Sequence, residues 1–503
     1  MNETQSDYQQ RWLRNVAPVD HINPKPSKPY QLVVVGAGTA GLVAAAGAAG
    51  MGARVALIES KMMGGDCLNT GCVPSKSWIE MANQFQEARE TLAEHQNPLS
   101  DSLRFDFSMA SRRMQAARAN ISANDSVRRF QELGVDVYLG KAQFTGPKSI
   151  EVAGCQLTFA RAIIATGARA AIPKIPGIEN VKYLTNETLF DLEKIPESIL
   201  IVGGGPIGCE MAQTLRRMGS TVTVADLADR ILSRELPDAS SVVDATLRRE
   251  GITLEFGASI TQILQNGDNE IVATIQSNQT TKQIVVNSVL LATGRTPNVE
   301  HLGLDQAGVA FDLKHGIHID DYLRTSNPRV FAAGDCCLPL QFTHAADFSA
   351  RSAIENALFF RRASWRKLLI PRCTYTQPNV AHVGMDWTEI EQRDDLQAYQ
   401  IDYSDNDRAV LAGNEGGFIR VYCPKGKDRI VACTIVSELA GEMIGEVAMA
   451  IKHKIGLKQI ASVIHPYPTR SDAFRRLGDQ YNRTRLTPWT KKILARYLRF
   501  RLG

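Results

Sequence analysis

Two cysteines stand five positions apart in the run Gly64-Gly65-Asp66-Cys67-Leu68-Asn69-Thr70-Gly71-Cys72-Val73-Pro74-Ser75-Lys76. Thiols set among Gly and Asn in a loop suit redox or soft-metal chemistry, because the thiolate is both the nucleophile and the metal ligand. On a regular helix this spacing keeps the two too far apart for a disulfide, which tolerates Cα atoms at most about 6.8 Å apart. Asn69, Gly71 and Pro74 are the residues expected where a helix starts irregularly and draws the two together. Two other readings stay open at this point. A metal site is one, although no second Cys or His pair with ligand spacing follows. Inert packing is the other, although Gly and Asn are unusual company for a core thiol.

Such a motif has to be held by something rigid. Gln31 opens a run whose residues 32–35 are apolar and mostly β-branched, leading into Gly36, Gly38 and Gly41, then a helical stretch, then a second apolar run ending in Glu59. Gly36 permits the tight turn, Gly38 lets the backbone approach a pyrophosphate, and Gly41 lets the helix pack close to the strand. The helix start offers free N–H groups to the phosphates. Glu59, 23 residues beyond Gly36, is placed to hold a ribose hydroxyl pair. The unit recurs: residues 198–202 lead into Gly203, Gly205 and Gly208, and a later run ends in Asp226, again 23 residues past the first Gly. Two copies with one spacing imply two dinucleotides and electron transfer between them.

The window 32–52 holds 21 residues without a charge, long enough to cross a bilayer. Six of them are Gly, and the window divides into strand, turn and helix, so no membrane span is expected. Thr166 and Gly167 follow one apolar run, and Gly294 follows another; these small residues fit chain crossings near a bound cofactor. Residues 330–335 read as a strand ending in Asp335. From 366 the pattern shifts to strands with an apolar helix at 443–455, predicting a separate C-terminal domain.

The 503 residues suggest about three domains. A hydrophobic fraction of 44% with 22% charged residues excludes a disordered chain. Nine cysteines are too few for a secreted disulfide scaffold and fit a cytoplasmic chain with a few special thiols. The net charge of +4 is too small for a nucleic-acid field. Seven of the 57 basic residues lie in 481–503, which has no acid, leaving 50 against 53 acidic ones elsewhere. Residues 1–30 are polar, with Pro24, Pro26 and Pro29, and lack a signal peptide's charged start and apolar run.

GGDCLNTGCVPSK, flanked by the two Gly-rich units and followed by ATGRTPN and FAAGD, resembles the pyridine nucleotide–disulfide oxidoreductase family. That family includes dihydrolipoamide dehydrogenase, glutathione reductase and mercuric reductase, and the similarity runs in order from about 31 to 480. It implies an α/β chain with two Rossmann-like, three-layer ββα dinucleotide-binding domains and an α+β C-terminal dimerisation domain. On that plan 1–30 is an N-terminal arm, 31–171 with 298–365 binds FAD, and 172–297 binds NAD(P)H. Residues 366–480 would dimerise, and 481–503 would be a basic amphipathic tail. The first glycine unit with Glu59 would hold FAD, and Asp335 would bind its ribityl chain. The second unit with Asp226 would hold the nicotinamide nucleotide, and Thr166, Gly167 and Gly294 would lie against the bound cofactors. Cys67 and Cys72 would form a redox-active disulfide, Cys72 touching the flavin and Cys67 meeting substrate, with Lys76 and Glu210 paired beside the flavin. Each active site would be completed by the partner copy, and no resident metal ion is expected.

The pattern departs at one place. The family's disulfide reductases carry His just before Pro-Thr, with an acid a few residues on. This chain reads His465-Pro466-Tyr467-Pro468-Thr469-Arg470-Ser471-Asp472, so Tyr467 takes the base's position and Asp472 the acid's. A His with a pKa of about 6.5 exchanges protons with a thiol at neutral pH, and a Tyr at about 10 mostly does not. His465, displaced by roughly 6.6 Å in an extended segment, reads as a turn or interface residue. Tyr at this position resembles mercuric reductase, yet the last Cys is Cys433 and none precedes Cys67, so that enzyme's C-terminal Cys pair and N-terminal Cys module are missing. Cys336 and Cys337 are expected on opposite faces of an extended segment, as core residues. Asp226 would repel a 2′-phosphate, favouring NADH, with Arg230 nearby in sequence as the counter-argument.

In the tail, Thr487 and Pro488 start a helix with Trp489, Ile493, Tyr497 and Phe500 on one side and Lys492, Arg496 and Arg499 on another. It would pack on the dimer, stay solvated, or lie on the inner face of a membrane. The expectation is a cytoplasmic, homodimeric, FAD-dependent NAD(P)H oxidoreductase whose dithiol reduces a small-molecule or metal-ion acceptor such as Hg²⁺. The rivals are a dihydrolipoamide dehydrogenase-type reductase and a membrane-associated redox sensor or electron carrier.

Overall fold

The first apolar run is the strand Tyr30–Val35, buried along nearly its whole length, which is why it reads as continuous rather than alternating. The computed structural model describes residues 4–267, 270–277, 280–360 and 362–503. They gather into two units, Met1–Leu227 with Gly257–Leu368, and Ala228–Phe256 with Leu369–Gly503.

In the first unit Tyr30–Val35 lies parallel between Val55–Glu59 and Cys155–Ile164. Asp136–Leu139 extends the sheet on one side, and Val330–Ala332 pairs with the end of Cys155–Ile164 on the other. The start of Cys155–Ile164 turns into an antiparallel meander with Ser149–Val152 and Ala142–Gly146. Helices Thr39–Gly50 and Thr343–Leu358 pack against each other, and Ala44, Ala45, Ala48, Ala350 and Ala353 are fully buried in the core they share. Small side chains let these two helices approach closely. The uncharged window 32–52 therefore divides into strand and helix, and no described helix is long and apolar enough to cross a membrane.

The second glycine unit repeats the plan. Ser198–Val202 runs parallel between Thr221–Ala225 and Ser288–Leu291. Beside it lies an antiparallel meander of Ala258–Asn266, Glu270–Ser277 and Thr280–Val286. The two chain crossings meet as a ribbon, Ala168–Ala170 against Arg295–Pro297. Thr166 Oγ1 donates to the Asn298 carbonyl at 2.6 Å, and Asn298 Nδ2 returns a bond to the Thr166 carbonyl at 3.0 Å.

The second unit is built on a five-stranded antiparallel sheet ordered Arg372–Thr374, Asn379–Gly384, Ala432–Ser437, Phe418–Pro424, Leu396–Asp402. Its core takes Met443, Ile444 and Val447 from one helix and Phe474 and Leu477 from another. The helix expected at 443–455 occupies Ala440–Lys452, because the chain leaves helical geometry at Lys454, where φ is +58°. The last helix, Pro488–Leu502, is capped by Thr487, whose hydroxyl accepts from Thr490 N at 3.2 Å, and buries no residue.

The N-terminal stretch is more than a polar arm. Thr4 and Asp7 form a capping box that starts the helix Gln5–Val16, and Trp12 and Val16, one turn apart, are buried.

Candidate active site

The short helix Gly65–Asn69 ends at Thr70, and Gly71 then caps a long helix, Cys72–Glu94. Cys72 is the first helical residue, where unpaired N–H groups favour a thiolate. Pro74 follows within the first turn, where a missing N–H has no helical partner to lose. All nine cysteines are thiols. The Cys67 thiol hydrogen bonds Cys72, and Cys72 Sγ lies 3.3 Å from Thr343 Oγ1 at the start of Thr343–Leu358. The bond from Cys67, then Thr343 and the Lys76 charge, hold the Cys72 thiol down at about 6 despite its burial. Cys67 is pushed up by the same bond and by burial, so the pair divides into one thiolate and one thiol.

Lys76, one turn beyond Cys72, places Nζ 2.8 Å from Glu210, a buried acid on the helix Pro206–Arg217. Arg295 bridges two further acids. It bonds Asp66 and the Ala168 carbonyl, the latter at 2.7 Å, and lies 3.5 Å from Asp335. Burial pushes the Asp335 carboxyl up to about 6, against the pull of Arg295. The sequence reading named Asp335 and passed over Asp66 and Arg295. Their signal was a charged residue inside each of two Gly-containing motifs, Asp66 in GGDCLNTGCVPSK and Arg295 in ATGRTPN.

The glycine loops fit dinucleotides. A Cβ on Gly41 would sit 1.7 Å from the Gly36 carbonyl, so only glycine lets this helix meet its strand. Gly38 and Gly205 begin their helices with no side-chain cap, leaving the first N–H groups for a pyrophosphate. Nothing lies within 4 Å of a Cβ on Gly205. Glu59 accepts from Ala37 N through Oε2 and from Lys61 N through Oε1, both at 2.7 Å. Oε1 also accepts from Ser60 Oγ at 3.4 Å, so Oε2 is the oxygen with room for a ribose hydroxyl, and burial pushes the carboxyl above its ordinary range. Asp226 accepts from Gly204 N in the same way. Thr166 and Gly167 lie at the crossing ribbon, and Gly294 enters its second strand. Arg230 donates to the Ser233 and Glu235 carbonyls at 2.8 and 3.1 Å.

In the second unit Tyr467 and Asp472 are not paired with each other. Tyr467 Oη donates to Asp407 at 2.8 Å, whereas Asp472 is bound by Arg475 at 3.0 Å. Asp407 comes from the helix Asp407–Leu411, so local spacing gave no sign of it. The Asp407 bond pushes the exposed Tyr467 hydroxyl above its ordinary pKa. These residues line a cleft of about 270 Å³ with Arg408 and Arg476. His465 is held apart from it, with Nε2 3.0 Å from Glu446 and Nδ1 3.2 Å from the Val463 carbonyl.

Cys336 and Cys337 are core residues, but not in an extended segment. Gly334–Cys336 is a 3₁₀ turn, so the two thiols reach carbonyls nearby: Cys336 those of Ile164 and Ala333, Cys337 that of Gly334. No cluster of three or more metal-ligating side chains occurs among the described residues.

Residues 30–353 match the pyridine nucleotide-disulphide oxidoreductase family, and residues 370–477 match its dimerisation domain. A mercuric reductase of Staphylococcus aureus is 29% identical over 89% of this chain and 81% of its own. A dihydrolipoyl dehydrogenase of Mycobacterium leprae is also 29% identical, over 89% of this chain and 97% of its own. Among solved structures, the Cu(II) complex of the HOCl-induced flavoprotein disulfide reductase RclA from Escherichia coli superposes with a TM-score of 0.80. It is 26% identical and covers 90% of this chain and 99% of its own. The family matches span both glycine units, the cysteine motif and the C-terminal sheet. This chain belongs to the pyridine nucleotide-disulphide oxidoreductase family and is an FAD- and NAD(P)H-dependent enzyme with a C-terminal dimerisation domain.

Proposed function

We propose that the Cys67–Cys72 pair is the redox centre of a homodimeric enzyme that reduces a thiol-reactive acceptor, a soft metal ion such as Hg²⁺ suiting it best. Residues 31–171 with 298–365 hold FAD, 172–297 hold the nicotinamide nucleotide, and 366–480 pair the two copies. FAD, when bound, relays an electron pair between the nicotinamide and the disulfide. The chain's own residues do the rest. Thr343 and Lys76 keep Cys72 as a thiolate, Glu210 holds Lys76 in place, and Cys67 keeps its proton until an acceptor arrives. When the dithiol reduces Hg²⁺, it loses two electrons and its remaining protons to become the disulfide, and the metal becomes Hg⁰. No leaving group needs a proton.

One observation carries this choice. Tyr467 donates its hydroxyl to Asp407, so the residue standing where disulfide reductases keep a His is a phenol whose protonated form this bond favours. A disulfide acceptor leaves as a thiolate and needs a proton shuttle, which such a phenol does not supply at neutral pH. The metal reading is supported by the mercuric reductases among the relatives and by the copper complex of the E. coli flavoprotein. The dihydrolipoyl dehydrogenase relative supports a second reading, disulfide reduction, which this phenol disfavours. Asp226 favours NADH, because a 2′-phosphate would meet its carboxylate.

The terminal helix adds a location. Trp489, Phe500 and Leu502 are strongly exposed, Ile493, Leu494, Tyr497 and Leu498 are about half exposed, and residues 481–503 hold seven basic residues and no acid. An apolar arc beside Lys492, Arg496 and Arg499 fits an anionic lipid surface, so the enzyme works in the cytoplasm against the inner face of a membrane.

Oxidation of NADH and of NADPH, each measured with Hg²⁺, lipoamide and glutathione disulfide, tests the reading. NADH with Hg²⁺ should be fastest. Brisk lipoamide turnover would overturn the choice of acceptor, and no turnover with any acceptor would favour a redox sensor.

A further inference from the structure

The helix Gln5–Val16 precedes the part of the chain that matches the family, yet it reaches the redox motif at two points. Trp12 Nε1 donates to Asn69 Oδ1 at 2.9 Å. The Val16 carbonyl accepts from Met63 N at 3.0 Å. Asn69 is the last residue of the short helix that carries Cys67, and it is buried. Its amide Nδ2 donates to the Met63 carbonyl at 3.0 Å and to the Gly65 carbonyl at 2.9 Å. Asn69 thus ties the end of the loop back to its start, and the bond from Trp12 dictates which way the amide faces, oxygen outward and nitrogen inward.

Trp12 is itself fixed. The Arg118 guanidinium lies over its ring, 4.6 Å from the centroid, and Arg118 is fully buried on the helix Phe107–Ser122. Asn15 Nδ2 donates to Ser122 Oγ at 2.9 Å, and Arg11 donates to Asn120 at 2.7 Å, docking the N-terminal helix along that same element.

We propose that the N-terminal helix is a working part of the redox centre, with Trp12 a positioning residue that sets the geometry of Cys67 against Cys72 through Asn69. The reasoning is mechanical. The Cys67 thiol must point at the Cys72 sulfur, and the short helix Gly65–Asn69 aims it. That helix has only five residues and no side-chain cap, so it does not hold itself in place. Without the N–H of Trp12, the buried Asn69 oxygen is left without its partner, and only the two bonds from its nitrogen still hold the amide. The short helix then loosens at the end nearest Cys72.

The proposal rests on Cys67 and Cys72 being the redox pair, and one experiment separates the two. The full-length, FAD-loaded enzyme is reduced, and its ultraviolet thiolate absorbance is titrated against the same protein carrying Cys72→Ser. The charged and titratable groups around Cys72 are Cys67, Lys76, Glu210, Arg295 and Asp335, and none is altered by the test substitutions. Wild type should titrate at about 6. Trp12→Phe keeps the ring and loses the N–H, and should raise the midpoint by about one pH unit, a tenfold loss of thiolate below it. Asn69→Ala, which also removes the bonds to the Met63 and Gly65 carbonyls, should raise it at least as far, and the double variant no more than Asn69→Ala alone, because the Trp12 bond acts through Asn69. Asn15→Ala, which loosens the same helix elsewhere, should leave the midpoint unchanged.

A natively folded Trp12→Phe protein with the wild-type midpoint would overturn the proposal, and so would additive effects of the two substitutions. Should Trp12→Phe lose its native circular dichroism, Asn69→Ala alone decides, and an unchanged midpoint there overturns it. A wild type with no thiolate titrating near the Cys72 position would instead remove the redox pair itself.

Discussion

Cys72 begins a helix, receives a bond from Cys67, and sits near charges of both signs, so its acidity is set by neighbours that can be removed singly. Lys76 lowers its pKa and Glu210 raises it. Lys76→Met should therefore move the thiolate titration up, and Glu210→Gln should move it down; coincident midpoints would contradict the charge argument. The sign for stability follows. The folded value lies below the ordinary 9.0, so ionised Cys72 favours the folded, reduced protein above that pH, and the contribution is lost as pH falls through about 6. Tyr467 is the second decisive residue. Replacing it with His puts a group that titrates near neutral pH where the phenol now donates to Asp407. General acid–base assistance is worth about 10²–10⁴-fold, so lipoamide turnover in Tyr467→His should rise at least tenfold over wild type. No gain would mean that proton supply does not limit this site. The cysteines and the displaced His were legible because each lies in a short motif of fixed spacing. Asp407, 60 positions from Tyr467, and Arg295, 229 positions from Asp66, were not, because only the folded chain brings them together.

Among the elements, the cysteine loop and the first glycine loop touch. A Cβ on Gly65 would lie 2.6 Å from Gly38 Cα, and Gly65 has φ +56°. Gly65→Ala should therefore push the two loops apart, lowering stability by about 1–3 kcal/mol as overpacking does. Flavin content should fall with it, both being read from thermal unfolding and visible absorbance. Unchanged flavin content would show that the contact does not shape the cofactor site. The strands and helices of the two glycine units were readable because β-branched runs, turns and an acid recur with one period. The N-terminal helix was hidden by composition. Trp12 and Val16 form its buried stripe among charged and amide residues, and only the Thr4–Asp7 capping box announced it.

At the scale of the molecule, the terminal helix Pro488–Leu502 buries none of its residues. Each basic residue near an anionic surface contributes about 1 kcal/mol, so removing residues 487–503 should abolish co-sedimentation with phosphatidylserine vesicles while leaving dimerisation intact. Equal sedimentation of the two proteins would assign the helix to another role. The tail's exposure was foreseeable from its lack of acids, whereas the grouping of Ala228–Phe256 with the C-terminal sheet was not, because it depends on packing far along the chain.

The central claim is that the Cys67–Cys72 dithiol itself reduces a soft metal ion. It is tested by reducing the enzyme anaerobically with one equivalent of NADH, adding thiol-buffered Hg²⁺, and counting Hg⁰ released against thiols lost, mapped by alkylation and mass spectrometry. The account predicts one Hg⁰ for each Cys67–Cys72 pair oxidised, and little oxidation of that pair by lipoamide over the same interval. Mercury held on thiols that stay reduced, with no Hg⁰ formed, or a pair oxidised as readily by lipoamide, would contradict it.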